Sequence, residues 1–171
     1  NTGPFCLENT NQQITAMPTP GSFSGATDGS GNFNPSTLGV GNHRVYYDYV
    51  SGNCSARDSV DIIITAPVAI TFGDSTFCQT ETSAMLTATP SAGIWSGIGI
   101  DAGGNLDPST LGVGMYTFTY NYTDPATNCV TTKDIMVEVE SQPTIMIMGD
   151  NDFCQSAGNQ TFTATPPGGT W

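Results

Sequence analysis

The chain has 171 residues, of which 37% are hydrophobic and only 11% are charged, and it contains 20 glycines and 11 prolines. This composition is too apolar for a disordered chain and too rich in turn-forming residues for a helical protein. Acidic residues outnumber basic ones by 15 to 3, which gives a net charge of −12 and makes nucleic acid and anionic lipid poor partners. No stretch approaches the ~20 apolar residues that cross a bilayer, so we expect no membrane insertion.

A Phe-Cys dipeptide recurs along the chain and marks an internal repeat. Its cysteines are Cys6, Cys78 and Cys154, and in each copy a proline follows twelve residues later, with an aromatic residue five residues beyond it. The sequence therefore predicts three copies of one unit. We expect a repeat without its first strand in residues 1–66, a complete repeat in residues 67–142, and the N-terminal part of a third in residues 143–171. We also expect the natural chain to continue with further copies on both sides.

An eight-residue motif occurs twice, at 34–41 and 107–114, and predicts a one-turn connection. Its first residue, Asn or Asp, can accept hydrogen bonds from the backbone N–H groups that follow, and proline suits the first helical position. Gly39 and Gly112 should close the turn in a left-handed conformation. Leu38 and Leu111 are the large apolar residues of each turn and should plug the end of a core.

Hydrophobic residues elsewhere alternate with polar ones, which indicates strands rather than helices. Residues 115–122 place their aromatic side chains on one face, and in the first copy residues 43, 45, 47 and 49 face inward while Arg44, Tyr46 and Asp48 face outward. Return strands should follow in both copies, and earlier strands are predicted at Val68–Phe72, Met85–Thr89 and Ile94–Ser96. The pattern predicts an all-β fold of tandem, small, Ig-like antiparallel β-sandwiches, with no helix longer than the one-turn motif.

The cysteine spacing is similar in consecutive copies and favours one disulfide per repeat. We predict the pairs Cys6–Cys54 and Cys78–Cys129, with Cys154 paired beyond the fragment and therefore the one free thiol within it. The alternative is a set of free thiols in a cytosolic protein. Zinc is not supported, because the chain has no Cys-x-x-Cys and one histidine. Disulfides predict export to an oxidising compartment.

Few residues are candidates for chemistry. His43 is the sole histidine and corresponds to Tyr116 in the next copy, so we do not expect it to be catalytic. The acidic residues leave a carboxylate pair open by residue type, although most lie in turns or on outward faces. We expect no enzyme activity and no cofactor.

Two Asp/Gly/Asn-rich loops resemble calcium-binding loops in their alternation of oxygen-bearing residues and glycine. Ordinary turn chemistry is the alternative explanation, since the bidentate glutamate of such loops is missing. The candidate metal ligands are Asp28, Asn32, Asp101, Asn105 and Asp107.

The repeated aromatic residues Phe23, Trp95 and Trp171 allow two interpretations. They could stack on sugar rings, or they could fill the core of each repeat, which is commoner for a lone aromatic residue at a fixed place in a sandwich. Solvent exposure of Trp95 distinguishes the two interpretations.

The order of these motifs resembles the Ig-like/PKD-like repeats of giant cell-surface adhesins secreted by gliding gram-negative bacteria, including gliding-motility adhesins. The resemblance covers the whole chain, with Phe23 as the departure in the first copy. The matching residues are Cys78, Pro90, Trp95, Ser96, Gly97, Pro108, Gly112, Gly114, Tyr120 and Cys129.

The resemblance implies type 9 secretion, display at the cell surface as a filament, and movement by a motor. Its implied partners are neighbouring repeats of the same chain, an external surface or polysaccharide, and the secretion and motility machinery. We therefore expect a non-enzymatic stalk segment of an extracellular adhesin. The alternatives are a carbohydrate-binding repeat array and accessory repeats of a secreted hydrolase.

Overall fold

The computed structural model describes residues 3–170, so Asn1, Thr2 and Trp171 lie outside the described part of the chain. The described residues are mostly β, with 45% in strands and 5% in helix. Both helices found there are single turns. Neither is long or apolar enough to cross a membrane.

The elements of the first unit are β1 (Phe5–Cys6), β2 (Gln12–Gln13), β3 (Gly21–Gly25), β4 (Asn32–Phe33), α1 (Pro35–Leu38), β5 (Gly41–Ser51) and β6 (Cys54–Thr65). Four of the strands form a sheet in the order β1-β6-β5-β3, while β2 and β4 form a separate two-stranded ribbon. The long strands β5 and β6 are antiparallel, whereas β1 runs parallel to the end of β6.

The second unit repeats this arrangement. Its elements are β7 (Thr71–Phe72), β8 (Thr76–Cys78), β9 (Ala84–Met85), β10 (Ala88–Thr89), β11 (Ile94–Ser96), β12 (Asn105–Leu106), α2 (Pro108–Leu111), β13 (Gly114–Thr123) and β14 (Val130–Glu140). The sheet order is β8-β14-β13-β11, β9 pairs with β12, and β7 pairs with β10. Strand β8 again runs parallel to the end of the last long strand.

The remaining strands of the described residues are β15 (Met146–Met148) and β16 (Thr163–Thr165), which pair antiparallel as β7 and β10 do in the second unit. The junction between the first two units is the segment between β6 and β7. The segment between β14 and β15 corresponds to it one unit later.

The described residues contain two hydrophobic clusters, one in each of the first two units. Their equivalent positions are filled by different apolar side chains, for example Val45 and Ile62 in the first and Phe118 and Val137 in the second. All four are fully buried. Ile63 is exposed between buried Ile62 and Ile64, and Glu138 is exposed between buried Val137 and Val139, so the predicted two-residue alternation is confirmed on these return strands.

The one-turn helices follow the predicted chemistry. The Asn34 and Asp107 side chains accept hydrogen bonds from the backbone N–H groups two residues later, each at 3.0 Å. Gly39 has φ 80° and ψ 173°, a region that only glycine adopts readily, and Gly112 is nearly identical. Both glycines thus have the positive φ expected of them, with an extended ψ instead of a left-handed helical one.

The predicted strand Met85–Thr89 is divided into two short strands. Met85 pairs with Asn105 in one ribbon, whereas Ala88 pairs with Phe72 in another. Buried Leu86 lies where the chain crosses between the two ribbons. Sequence alternation cannot reveal such a change of partner, because both short strands keep the same period.

Candidate functional site: the junction between the units

A disulfide between Cys6 and Cys129 joins the first unit to the second. The Cα atoms are 5.5 Å apart and the two residues are separated by 123 positions in the sequence. It is the one disulfide in residues 3–170. Cys129 is 3% exposed, and its Sγ lies 3.4 Å from Oγ1 of Thr65. The two units are therefore joined by a covalent bond as well as by the packing of side chains around it.

The strand pairing explains why these two cysteines meet. Because β1 runs parallel to β6, Cys6 lies beside Thr65, at the end of the unit from which the chain departs. Cys129 directly follows the hairpin that joins β13 to β14, where Asp124 N–H donates to the Cys129 carbonyl oxygen at 2.9 Å. That hairpin therefore lies against the end of the first unit where β6 ends and the chain continues into the second unit.

The predicted pairs Cys6–Cys54 and Cys78–Cys129 are wrong. Cys54 is the first residue of β6, whereas Cys6 lies beside its last residue, Thr65. At about 3.3 Å per residue the strand separates its two ends by about 36 Å, while a disulfide requires Cα atoms within about 7 Å. The same geometry separates Cys78, which lies beside Glu140, from Cys129 at the opposite end of β14.

Cys54, Cys78 and Cys154 are free and exposed. The prediction of a single free thiol is therefore wrong. The error has one cause, which is that similar spacing in consecutive copies fits a bond within a repeat and a bond between repeats equally well. The parallel pairing of the first short strand with the end of the last long strand decides between them.

The candidate calcium residues take part in turn hydrogen bonds. Asp28 Oδ1 accepts from the N–H groups of Ser30 and Asn32, both at 2.9 Å, and Asn32 Nδ2 donates to Oδ2 at 3.0 Å. These hydrogen bonds, led by the Asn32 side chain, lower the pKa of Asp28 below its ordinary value.

The second loop repeats the arrangement. Asp101 accepts from Gly103 N–H, Asn105 N–H and the Asn105 side chain, each at 2.9 Å, and its pKa is lowered mainly by the Asn105 side chain. Asp107 instead caps α2. Within residues 3–170, no three His, Cys, Asp or Glu side chains are grouped to hold a metal. The carboxylates of Asp28, Asp101 and Asp107 are thus engaged in the hydrogen bonds of ordinary turns and of a helix cap.

His43 has a structural partner. Its Nε2 lies 2.8 Å from the Gly39 carbonyl oxygen, which can only accept, so Nε2 carries the proton. The equivalent Tyr116 donates its hydroxyl to the carbonyls of Leu111 and Gly112. Both side chains thus close the end of a one-turn helix.

Trp95 is 5% exposed and packs between Phe72 and Tyr120, with ring centroids 5.5 and 4.7 Å away. Phe23 is partly buried and packs against Tyr47 at 4.7 Å. Trp171 lies outside the described residues. Leu38 and Leu111 are partly buried and pack against the two core clusters.

The two arginines of the chain lie on the outward face of the first unit. Arg57 forms a two-point ion pair with Asp48 across β5 and β6, at 2.6 and 2.9 Å, and this contact lowers the pKa of Asp48. Arg44 pairs with Asp61 in the same way. Both pairs join opposite residues of β5 and β6 and so favour this strand pairing. Because they are exposed, they contribute little to stability.

No protein-family model matches the chain, and no curated protein matches it at a significant level.

Proposed function

We propose that this chain is a non-enzymatic stalk segment of a secreted cell-surface adhesin filament that serves surface attachment and gliding motility. The observation that carries the proposal is the Cys6–Cys129 disulfide between consecutive units. A bond across a junction fixes the orientation of neighbouring units and transmits tension through covalent bonds. Both properties suit a filament that projects a binding tip and is pulled.

The proposal includes tandem Ig-like sandwiches as the repeating unit. It is supported by the matching sheet orders of the first two units and by a separate core in each. Each unit has few residues, so its core alone contributes limited stability, and covalent links compensate for this in small secreted domains.

An extracellular location agrees with the disulfide, because such bonds persist in oxidising compartments. The partners we propose are neighbouring repeats, the secretion and motility machinery, and an external surface or polysaccharide contacted elsewhere on the filament.

The burial of Trp95 supports a stalk over a carbohydrate-binding array. A sugar platform needs an aromatic face open to solvent, whereas the indole of Trp95 contacts Phe72 and Tyr120 within the core. The equivalent Phe23 packs against Tyr47. A role as accessory repeats of a hydrolase is the remaining alternative and depends on other parts of the protein.

Labelling of live cells tests the proposal. A fluorescent monovalent antibody fragment against the second unit should decorate the cell surface and travel along the cell body, and a saturating dose should reduce attachment to glass. A fragment against an unrelated surface protein is the control. Absence of surface label, or a fixed label with normal attachment, would contradict the proposed role.

A further inference from the structure

Cys54 occupies the same structural position as the bonded Cys129. Each is the first residue after the hairpin between the two long strands of its unit, and each is paired with the residue that precedes the hairpin. Cys54 pairs with Ser51, and Cys129 accepts a hydrogen bond from Asp124. Cys129 is buried beneath the end of the first unit, whereas Cys54 is exposed.

Cys78 likewise occupies the position of the bonded Cys6. Cys6 lies beside Thr65 at the end of β6, and Cys78 lies beside Glu140 at the end of β14, both in parallel pairing. Cys78 is exposed and free. The first two units therefore each have a hairpin cysteine (Cys54 or Cys129) at one end and a Phe-Cys cysteine (Cys6 or Cys78) at the other. One of each kind, Cys6 and Cys129, is bonded at the junction.

We propose that Cys54 and Cys78 are junction cysteines that bind further repeats of the same kind. Cys54 forms a disulfide with the Phe-Cys cysteine of another repeat, and Cys78 forms a disulfide with the hairpin cysteine of another repeat. We infer these partners from the Cys6–Cys129 junction, where the end of the first unit that carries its Phe-Cys cysteine covers the hairpin end of the second unit. The linkage is a property of the units and does not depend on the proposed role in attachment.

The chemistry is thiol–disulfide exchange with a small-molecule or enzyme disulfide as the oxidant. One cysteine thiolate attacks the oxidant and forms a mixed disulfide, releasing one thiol. The second cysteine thiolate then attacks the cysteine sulfur of that mixed disulfide and releases the other thiol. Two cysteine thiols are oxidised to one disulfide, and the oxidant is reduced to two thiols.

The bonds formed in this way overlap along the chain. Cys78 lies between Cys6 and Cys129 in the sequence, so a bond from Cys78 to a later repeat begins inside the span that the first bond closes. Every unit that lies between two junctions would then be linked by a disulfide to the unit before it and to the unit after it.

Pairing between separate molecules tests the polarity of the contact. One variant, Cys54→Ser, keeps Cys78 and Cys154, both of the Phe-Cys kind. The other, Cys78→Ser/Cys154→Ser, keeps Cys54. Oxidation of an equimolar mixture with glutathione disulfide should give the heterodimer in at least about tenfold excess over either homodimer, a preference of about 1.4 kcal/mol. Homodimers in comparable amounts, or no dimer, would overturn the proposal.

Cysteine mapping on the protein as cells make it provides the second test. Intact cells are alkylated before lysis, and the non-reduced digest is analysed by mass spectrometry. We expect the Cys54 peptide bonded to a Phe-Cys peptide and the Cys78 peptide bonded to a hairpin peptide. Alkylated Cys54 and Cys78, or bonds between two cysteines of one kind, would overturn the inference, whereas neither result bears on attachment.

Discussion

The Tyr120 hydroxyl donates a hydrogen bond to the Pro90 carbonyl oxygen at 2.8 Å, and Tyr47 donates to Pro18 at 2.7 Å in the first unit. In both units the hydrogen bond thus links the recurring proline to the third inward-facing residue of the long strand. In the second unit the same hydroxyl also accepts from Gly93 N–H at 2.6 Å. These contacts fix the loop that precedes the buried Trp95.

Tyr120→Phe should destabilise the second unit by about 1–3 kcal/mol, because the Pro90 carbonyl and Gly93 N–H lose their partner beside a buried side chain. Tyr47→Phe is the matched variant, and its effect should be smaller because its hydrogen bond is exposed. Urea unfolding monitored by far-UV circular dichroism measures both effects. Equal effects would contradict the assignment of a buried network to the second unit alone.

Trp95→Ala should destabilise the second unit by about 3–5 kcal/mol, since it removes a buried indole and leaves a cavity between Phe72 and Tyr120. Phe23→Ala should cost the first unit less, because Phe23 is only partly buried. Urea unfolding monitored by far-UV circular dichroism tests both. A Trp95→Ala protein of nearly unchanged stability would mean that the indole is not a core residue, and a sugar-stacking role would then regain support.

The aspartates of the two turn loops should make the free energy of unfolding depend on pH. The folded-state pKa of Asp28 and Asp101 is lowered by hydrogen bonds, so their contribution is present above the unfolded pKa and is lost as the pH falls through the folded value. Between about pH 6 and about pH 3, thermal stability should fall less in Asp28→Asn/Asp101→Asn than in the unmodified chain. Asp74→Asn is the control, since the Asp74 carboxylate accepts no hydrogen bond among residues 3–170.

Calcium should leave the unfolding temperature unchanged at neutral pH. The carboxylates of Asp28 and Asp101 already accept hydrogen bonds from their own loops, and a bound cation would have to displace them. Differential scanning fluorimetry with calcium or with chelator measures this directly. A saturable rise that disappears in Asp28→Asn/Asp101→Asn would restore the calcium site.

Local chemistry made much of the fold predictable. Asn34 and Asp107 cap single turns, and apolar residues alternate with polar ones along the long strands. Both features depend on neighbouring residues, so the sequence suffices to predict them. The disulfide pattern was not predictable in this way, because it depends on which end of β6 the short strand β1 joins. Pairing between distant segments is a tertiary property, and equal spacing in each repeat does not reveal it.

The Cys6–Cys129 bond should also shorten the extension of the chain under force. When the chain is pulled through its two ends, tension passes directly across the bond, and the residues between the two cysteines are not stretched. Their separation of 123 positions corresponds to about 440 Å of extended chain at about 3.6 Å per residue.

Optical-tweezers stretching of the 171-residue chain through its ends measures this difference. The oxidised chain should extend about 440 Å less than the same chain under reductant or the Cys129→Ser variant, because only the latter two release the residues between the cysteines. Cys54→Ser is the control and should extend like the oxidised chain, since Cys54 is unbonded. Equal extension with and without reductant would show that the bond does not carry tension, and the stalk proposal would lose its main support.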